Sequence, residues 1–339
     1  MRKLLCLLLT ALLLCSCVAL PKEQTIYEAT FLELFDTVTV IRGGAESQEA
    51  FTEIAQGIKQ QLERYHRLFD IYHDYPGFSN LKTVNDNAGV APVQVDAEVI
   101  RLLRDCKAYY AATGGMVNAA LGSVLQLWHE ARTAGLNDPT SAQLPSREEL
   151  EEAALHTDLS PVIIDETAST VYLADPGMRL DVGAVAKGWA AQRVAENAPK
   201  GLLISVGGNI CATGHKTQSG APWVVGIQNP EDPNAFVHTL YVTGGSVVTS
   251  GDYQRAYVVD GQLYHHIIHP DTLMPGTLWR SVTVVCPDSG AADMLSTALF
   301  LLPKEQGEQL LEAFDAHALW IDSDGTRYYS AGFEKFIRT

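Results

Sequence analysis

The sequence predicts an α+β fold, mostly antiparallel strands with helices packed against them. Its strand-like runs are joined by short hairpin signals, Asp260-Gly261 and Asp324-Gly325 the clearest. Its helical runs are interspersed irregularly, which argues against a regular βαβ winding. The 339 residues, 47% of them hydrophobic, suffice for a large core, as one big domain or two intimate ones. No repeat or heptad pattern is present. A formal net charge of -16 and the lack of any Lys/Arg-rich run exclude a phosphate-backbone surface, so no nucleic-acid partner is expected.

Taken in order, residues 1–16 read as an export signal. Arg2 and Lys3 form a basic start, and the apolar run from Leu4 to Leu14 is too short to span a bilayer comfortably. Leu14-Cys15-Ser16-Cys17 resembles the cleavage box of bacterial lipoproteins, which would make Cys17 the lipidated first residue of a mature chain. That implies an extracytoplasmic protein anchored to the cell membrane by its lipid; a plain signal peptide or an uncleaved anchor is the alternative. Residues 17–28 read as a tether and 29–339 as a single domain. Cys106, Cys211 and Cys286 are isolated in apolar runs, which suits small buried hydrophobes rather than a disulfide framework.

FLELFDTVTVI (31–41) alternates like a strand, and Gln48 to Leu68 has helical spacing. Asp96 to Ala112 is a second helix, capped by Asp96 and stopped by Gly114-Gly115. Polar residues from Ala134 to Ser146 form a surface excursion before a short helix. VIIDETASTVYLAD is a hairpin, and DVGAVAKGWAAQ turns helical from about Ala184. GLLISVGGNICATG reads as a buried strand stopping on paired glycines; WVVGIQNP, LYVTGGSVVTS and AYVVDGQLYHHII continue the strands. SVTVVC, AADMLSTALFLL and ALWIDSDGTRYYSAG close the chain as strand, helix and hairpin.

Chemistry concentrates at a few of these places. In YHHIIHPDTLMPG (264–276), strand periodicity puts His265, Ile267 and His269 on one face and His266 and Ile268 on the other, so three imidazoles cannot share one zinc. His266 or His265 is then a candidate base for a hydroxyl nucleophile, or else a histidine satisfied within a turn. Asp293 and Thr297 lie four apart on one helix face, a carboxylate and hydroxyl suited to a hard cation such as magnesium; the plain alternative is a first-turn aspartate opposing the helix dipole. Asp181 and Lys187 bracket Gly183, and a lysine in a helix's first turn suggests a nearby anion, unless it simply snorkels.

Seven blocks in this order, LFDTVTV, GGMVNAALGSVLQLW, LDVGAVAKGWAAQ, LISVGGNI, VVTSGDYQRAY, YHHIIHPDT and ADMLSTALFLL, resemble the ApbE-type FAD:protein FMN transferase family, over about Phe31 to Ala331. The resemblance implies an ApbE-like, T-fold-like architecture and a magnesium-dependent enzyme. Such an enzyme splits FAD, attaches FMN through a phosphoester to a Thr or Ser of a target protein and releases AMP. It implies acceptors among membrane redox subunits of the Rnf and Nqr type or extracytoplasmic flavoproteins. It also implies roles: Asp181 and Lys187 as nucleotide contacts, with Met116, Val117, Asn118, Phe35 and Ile267 around the flavin substrate. Mg2+ would be held by the Ala184 carbonyl, Asp293 and Thr297, with His266 as base. The chain departs from the family pattern at His269 and Asn118, where aspartates are usual, at Leu273 in place of glycine, and at Ser296, where many members have a second acid. FAD pyrophosphatase activity and non-catalytic flavin binding are the competing readings.

Overall fold

The computed structural model describes residues 25–339. The export signal, Cys17 and most of the tether lie outside the described residues. Residues 25–28, assigned to the tether by sequence, belong instead to the first strand, β1 (Thr25–Phe31), paired with β2 (Thr39–Ala45) from Thr25 opposite Ala45 onward. FLELFDTVTVI is therefore not one strand. Phe35 and Asp36 adopt left-handed backbone (φ 54° and 52°) in a short 3-10 turn between β1 and β2.

Eight strands form one sheet in which every neighbouring pair is antiparallel. Its order is β1, β2, β6 (Leu202–Val206), β7 (Asn209–Ala212), β10 (Gly245–Gly251), β13 (Ser281–Cys286), β14 (His317–Ile321), β15 (Arg327–Tyr329). The expected single strand ending on paired glycines is thus a hairpin, β6 and β7, turning on Gly207 and Gly208 at φ 59° and 90°. Period-two alternation sends Ile41, Ile204, Val248, Val284 and Trp320 to one face and Leu203, Val247, Val285 and Leu319 to the other. The second face is covered by the ribbon β8 (Trp223–Gln228) and β9 (Phe236–Val242).

The first face carries most of the helices, while the fourth and fifth pack with Tyr257, Val259, Ile268 and Leu273 in a separate cluster. The helices are α1 (Gln48–Phe69), α2 (Leu81–Asp86), α3 (Ala97–Ala112), α4 (Gly122–Asn137), α5 (Arg147–Ala154), α6 (Ala186–Asn197), α7 (Ser289–Leu301) and α8 (Lys304–Glu312). Caps set their starts, at Asp96 as the sequence indicates: Asp96 accepts from Glu98 N, Ser47 from Ala50 N, and Ser146 forms a capping box with Glu149. The helix after LQLW runs on to Asn137, so the polar excursion begins only at Asp138. A three-stranded sheet, β3 (Val93–Gln94), β5 (Thr170–Leu173) and β4 (Val162–Asp165), and the hairpin β11 (Tyr257–Val259) and β12 (Gln262–Tyr264) complete the fold. Among the described residues no helix is long and apolar enough to cross a membrane. Cys106, Cys211 and Cys286 are buried and free.

α7 is buried on nearly every side, as its continuous apolar sequence requires, lying between the sheet and α6. The two helices meet at Gly188, where a Cβ would overlap the Ser289 carbonyl oxygen and the Asp293 Cβ. Gly188→Ala is therefore expected to lower the unfolding free energy by about 1–3 kcal/mol, measured by urea denaturation; an unchanged midpoint would mean the helices do not pack this closely.

Candidate active site

A cleft of about 270 Å³ opens where the loops before α4, α6 and β11 meet α7. Met116, Val117, Asn118, Asp181, Ala184, Lys187, His266, Ile267, Asp293 and Thr297 all line it. Phe35 does not. It lines an adjoining recess of about 140 Å³, which shares Asp181 and Lys187 with the cleft. There the Phe35 N–H donates to His66 Nδ1 at 3.2 Å, which helps hold the left-handed turn.

Asp293 anchors the deep end. α7 is capped by Asp288, so Asp293 lies beyond the first turn and is not a dipole partner. Its Oδ2 accepts the backbone N–H of Gly188 at 2.8 Å. In an uninterrupted helix that N–H would bond to the carbonyl of Ala184; here the Ala184 carbonyl accepts no hydrogen bond among the described residues. Burial pushes the Asp293 carboxyl up, against the pull of Lys187, the Gly188 N–H and the Asn209 amide. That amide stands alongside but outside good geometry, leaving Asn209 Nδ2 buried without a partner. Thr297, one turn on, has no hydrogen bond recorded for its hydroxyl among the described residues and faces the same cleft.

The histidine pair left open by sequence is resolved by hydrogen bonding. His265 Nε2 is 2.8 Å from the Gly276 carbonyl and its Nδ1 accepts the Ile267 N–H, so it is a satisfied turn residue. His266 Nδ1 is buried with no partner, which leaves Nε2 as the nitrogen open to the cleft. Burial, with Arg255, Lys187, His265 and Arg132 close by, pushes its pKa down to about 3, so the ring is neutral. The strand periodicity expected through His269 fails: β12 ends at Tyr264, and Ile267 and Ile268 are both buried.

Around these, Asp181 Oδ1 accepts from Gly183 N at 2.7 Å, fixing the turn into α6. Asn118 donates to Thr157 O and accepts from Ala120 N, bonds that fix its side chain at the cleft wall while using one of its two N–H groups and one oxygen lone pair. Sequence reading assigned no role to Asn209, Tyr72, His129, Arg132 or Arg255, which also line the cleft. Arg255 lies inside VVTSGDYQRAY, and Arg132 follows Trp128 by one helical turn, so both signals were present.

With this geometry in place, the family model described as "ApbE family" matches residues 25–320. The chain belongs to the ApbE family. It is similar to the FAD:protein FMN transferases of Treponema pallidum (strain Nichols), 37% identical over 77% of this chain and 75% of that one, and of Klebsiella pneumoniae (strain 342), 34% identical over 79% and 82%. Among solved structures it resembles the ApbE protein of Thermotoga maritima, with TM-score 0.80, 31% identity and coverage of 93% of this chain and 100% of that one. The fold is shared with the Vibrio cholerae flavin transferase ApbE at TM-score 0.75.

The departures from the ApbE pattern now have physical accounts. His269 Nδ1 accepts the Asp271 N–H at 3.2 Å, the turn-holding bond an aspartate would make from that position. Leu273 adopts left-handed backbone (φ 61°), which costs about 1–2 kcal/mol for a residue with a Cβ. Burial of its side chain beside Trp128, Tyr257 and Ile268 offsets this, and Trp128 Nε1 donates to its carbonyl at 2.9 Å. Ser296 is buried outside the cleft lining, donating to Asp293 O and meeting Ser250 Oγ at 2.8 Å, so it ties α7 to β10.

The donor set fits a magnesium ion. A desolvated carboxylate without an ion-pair partner, a carbonyl freed from its helix and a hydroxyl are hard oxygen donors facing one space. Among the described residues no group of three His, Cys, Asp or Glu side chains gathers for a metal, so the set has one acid only and needs oxygens from a ligand to fill the shell. For His266 the linkage sign is clear. The folded ring resists a proton that the unfolded chain takes at about pH 6.5, so stability present above that value is lost as pH falls toward about 3. In an imidazole NMR titration the His266 resonance is expected to keep its neutral position from pH 7 to about 4; a midpoint near neutrality would refute the buried, cation-flanked setting.

Proposed function

We propose that this protein is a FAD:protein FMN transferase whose cleft binds FAD and receives a Thr or Ser hydroxyl of an acceptor protein. The reading rests on its ApbE family membership and on one observation: a neutral, unpartnered His266 shares the cleft with Asp293, Thr297, Lys187 and the freed Ala184 carbonyl. In the reaction the acceptor oxygen bonds to the flavin-side phosphorus, the bond from that phosphorus to the bridging oxygen breaks, and AMP leaves with that oxygen. His266 Nε2 takes the hydroxyl proton as the bond forms. Its proton affinity, lowered by burial and further by Arg255, Lys187 and Arg132, rises when a dianionic diphosphate offsets those cations.

Lys187 would place a positive charge against the diphosphate, and the segment Asp181–Ala184, pinned by the Asp181–Gly183 turn, would set the nucleotide's position. Met116, Val117 and Ile267 supply apolar wall for the flavin ring. Mg2+, held by the Ala184 carbonyl, Asp293 and Thr297, would draw charge from phosphate oxygens. Phe35, in the adjoining recess, would contact the substrate only if it extends beyond the cleft.

The leader reading adds a location. With residues 1–16 removed and Cys17 lipidated, the enzyme would sit on the extracytoplasmic face of the cell membrane. Membrane redox subunits of the Rnf and Nqr type, or exported flavoproteins, would present the hydroxyl there.

The test is intact mass of an acceptor domain incubated with the protein, FAD and Mg2+. A gain of FMN less water, retained after denaturation, is the expected result; free FMN and AMP with an unmodified acceptor would instead mean hydrolysis. Asp293→Ala should abolish both transfer and calorimetric Mg2+ binding while leaving the fold intact. His266→Gln should slow transfer by about 10²–10⁴-fold with FAD affinity retained; wild-type turnover in either variant would contradict the role given to that residue.

A further inference from the structure

The cleft contains two cations that the family-based roles leave unused. Arg132 on α4 and Arg255, just before β11, line it together with Lys187, and none of the three has a salt bridge among the described residues. Arg132 is half-buried; its Nη2 rests 3.1 Å from His129 Nδ1, and its Nη1 donates to the Arg255 carbonyl at 3.4 Å. The His129 ring is in turn stacked on Tyr72 at 4.9 Å between centroids, so the guanidinium is held from behind. Arg255 adopts left-handed backbone (φ 47°), strain of the kind retained where a side chain must be aimed.

Arg255 is exposed, yet burial of Arg132 and the Arg255 charge beside it already work against ionisation of Arg132. A bound anion removes that penalty. Guanidinium forks match paired phosphate oxygens, and each charge-assisted bond is roughly twice as strong as a neutral one. We propose that Arg132 and Arg255 form a phosphate clamp on the α4 and β11 side of the cleft, gripping the diphosphate of the dinucleotide substrate independently of the metal set on α7. The clamp deepens the transferase reading and rests on it. Arg132 acts as a binding group, with His129 and Tyr72 as its positioning residues.

The test compares FAD, FMN and riboflavin by flavin-fluorescence titration in EDTA, with wild-type protein, Arg132→Gln and Arg132→Lys. Arg132→Gln is expected to weaken FAD by about tenfold or more while riboflavin affinity and the unfolding midpoint stay unchanged, with Arg132→Lys recovering part of the loss. Equal loss of FAD and riboflavin would make Arg132 a structural residue and overturn the clamp. Unchanged FAD affinity would also overturn it; if transfer to the acceptor alone were lost, the guanidinium would serve the acceptor instead. Failure of the wild-type protein to bind FAD at all would sink the transferase reading itself, a result distinct from either.

Discussion

The site depends on one hydrogen bond, from the Gly188 N–H to Asp293 Oδ2 at 2.8 Å. It does three things at once. It fixes a carboxylate on α7, locks α6 against α7, and withdraws from Ala184 the donor that its carbonyl would otherwise receive. No residue with a side chain could stand at 188 without striking Ser289 or Asp293. Packing and chemistry are therefore the same contact here: the closeness of two helices creates the oxygen set. A buried acid with one amide partner and no cation is costly in isolation, and its raised proton affinity is the sign that something else is meant to share the space.

The cleft sets cations and acids side by side. The chain is strongly acidic, yet Lys187, Arg132 and Arg255 look onto the same space unpaired. Field strength at a site is set by the nearest charges, and here the three cations stand among Asp36, Asp181 and Asp293, so each cation acts on the groups beside it rather than through a net charge of the cleft. Burial, helped by the same cations, keeps His266 unprotonated. Anion binding and base strength are thereby coupled, because an anion that neutralises them also lets the imidazole take a proton.

Much of this was readable beforehand. The cap at Asp96, the hairpins at Asp260-Gly261 and Asp324-Gly325, and the shared face of Asp293 and Thr297 are local features, and local rules found them. What was missed is non-local or locally ambiguous. LFDTV alternates convincingly, but Phe35 and Asp36 turn left-handed with the Phe35 N–H bonded to His66, thirty-one residues away. His265 and His266 are adjacent, and only the Gly276 carbonyl tells them apart. Arg132 looks like an ordinary charge on an amphipathic helix until the β11 side of the fold places Arg255 beside it.

The order of the large sheet has a consequence for how the molecule is made. β1 and β2 lie at its edge, and β2 is joined to the rest through β6, with Thr39 opposite Val206. A nascent chain exposes that first ribbon long before its neighbour has been synthesised, and contacts so distant along the polymer close slowly against loop entropy. During this interval the ribbon presents an unsaturated backbone edge, an invitation to mispairing that chaperone capture would suppress. Biogenesis, more than the finished architecture, is where this topology is vulnerable.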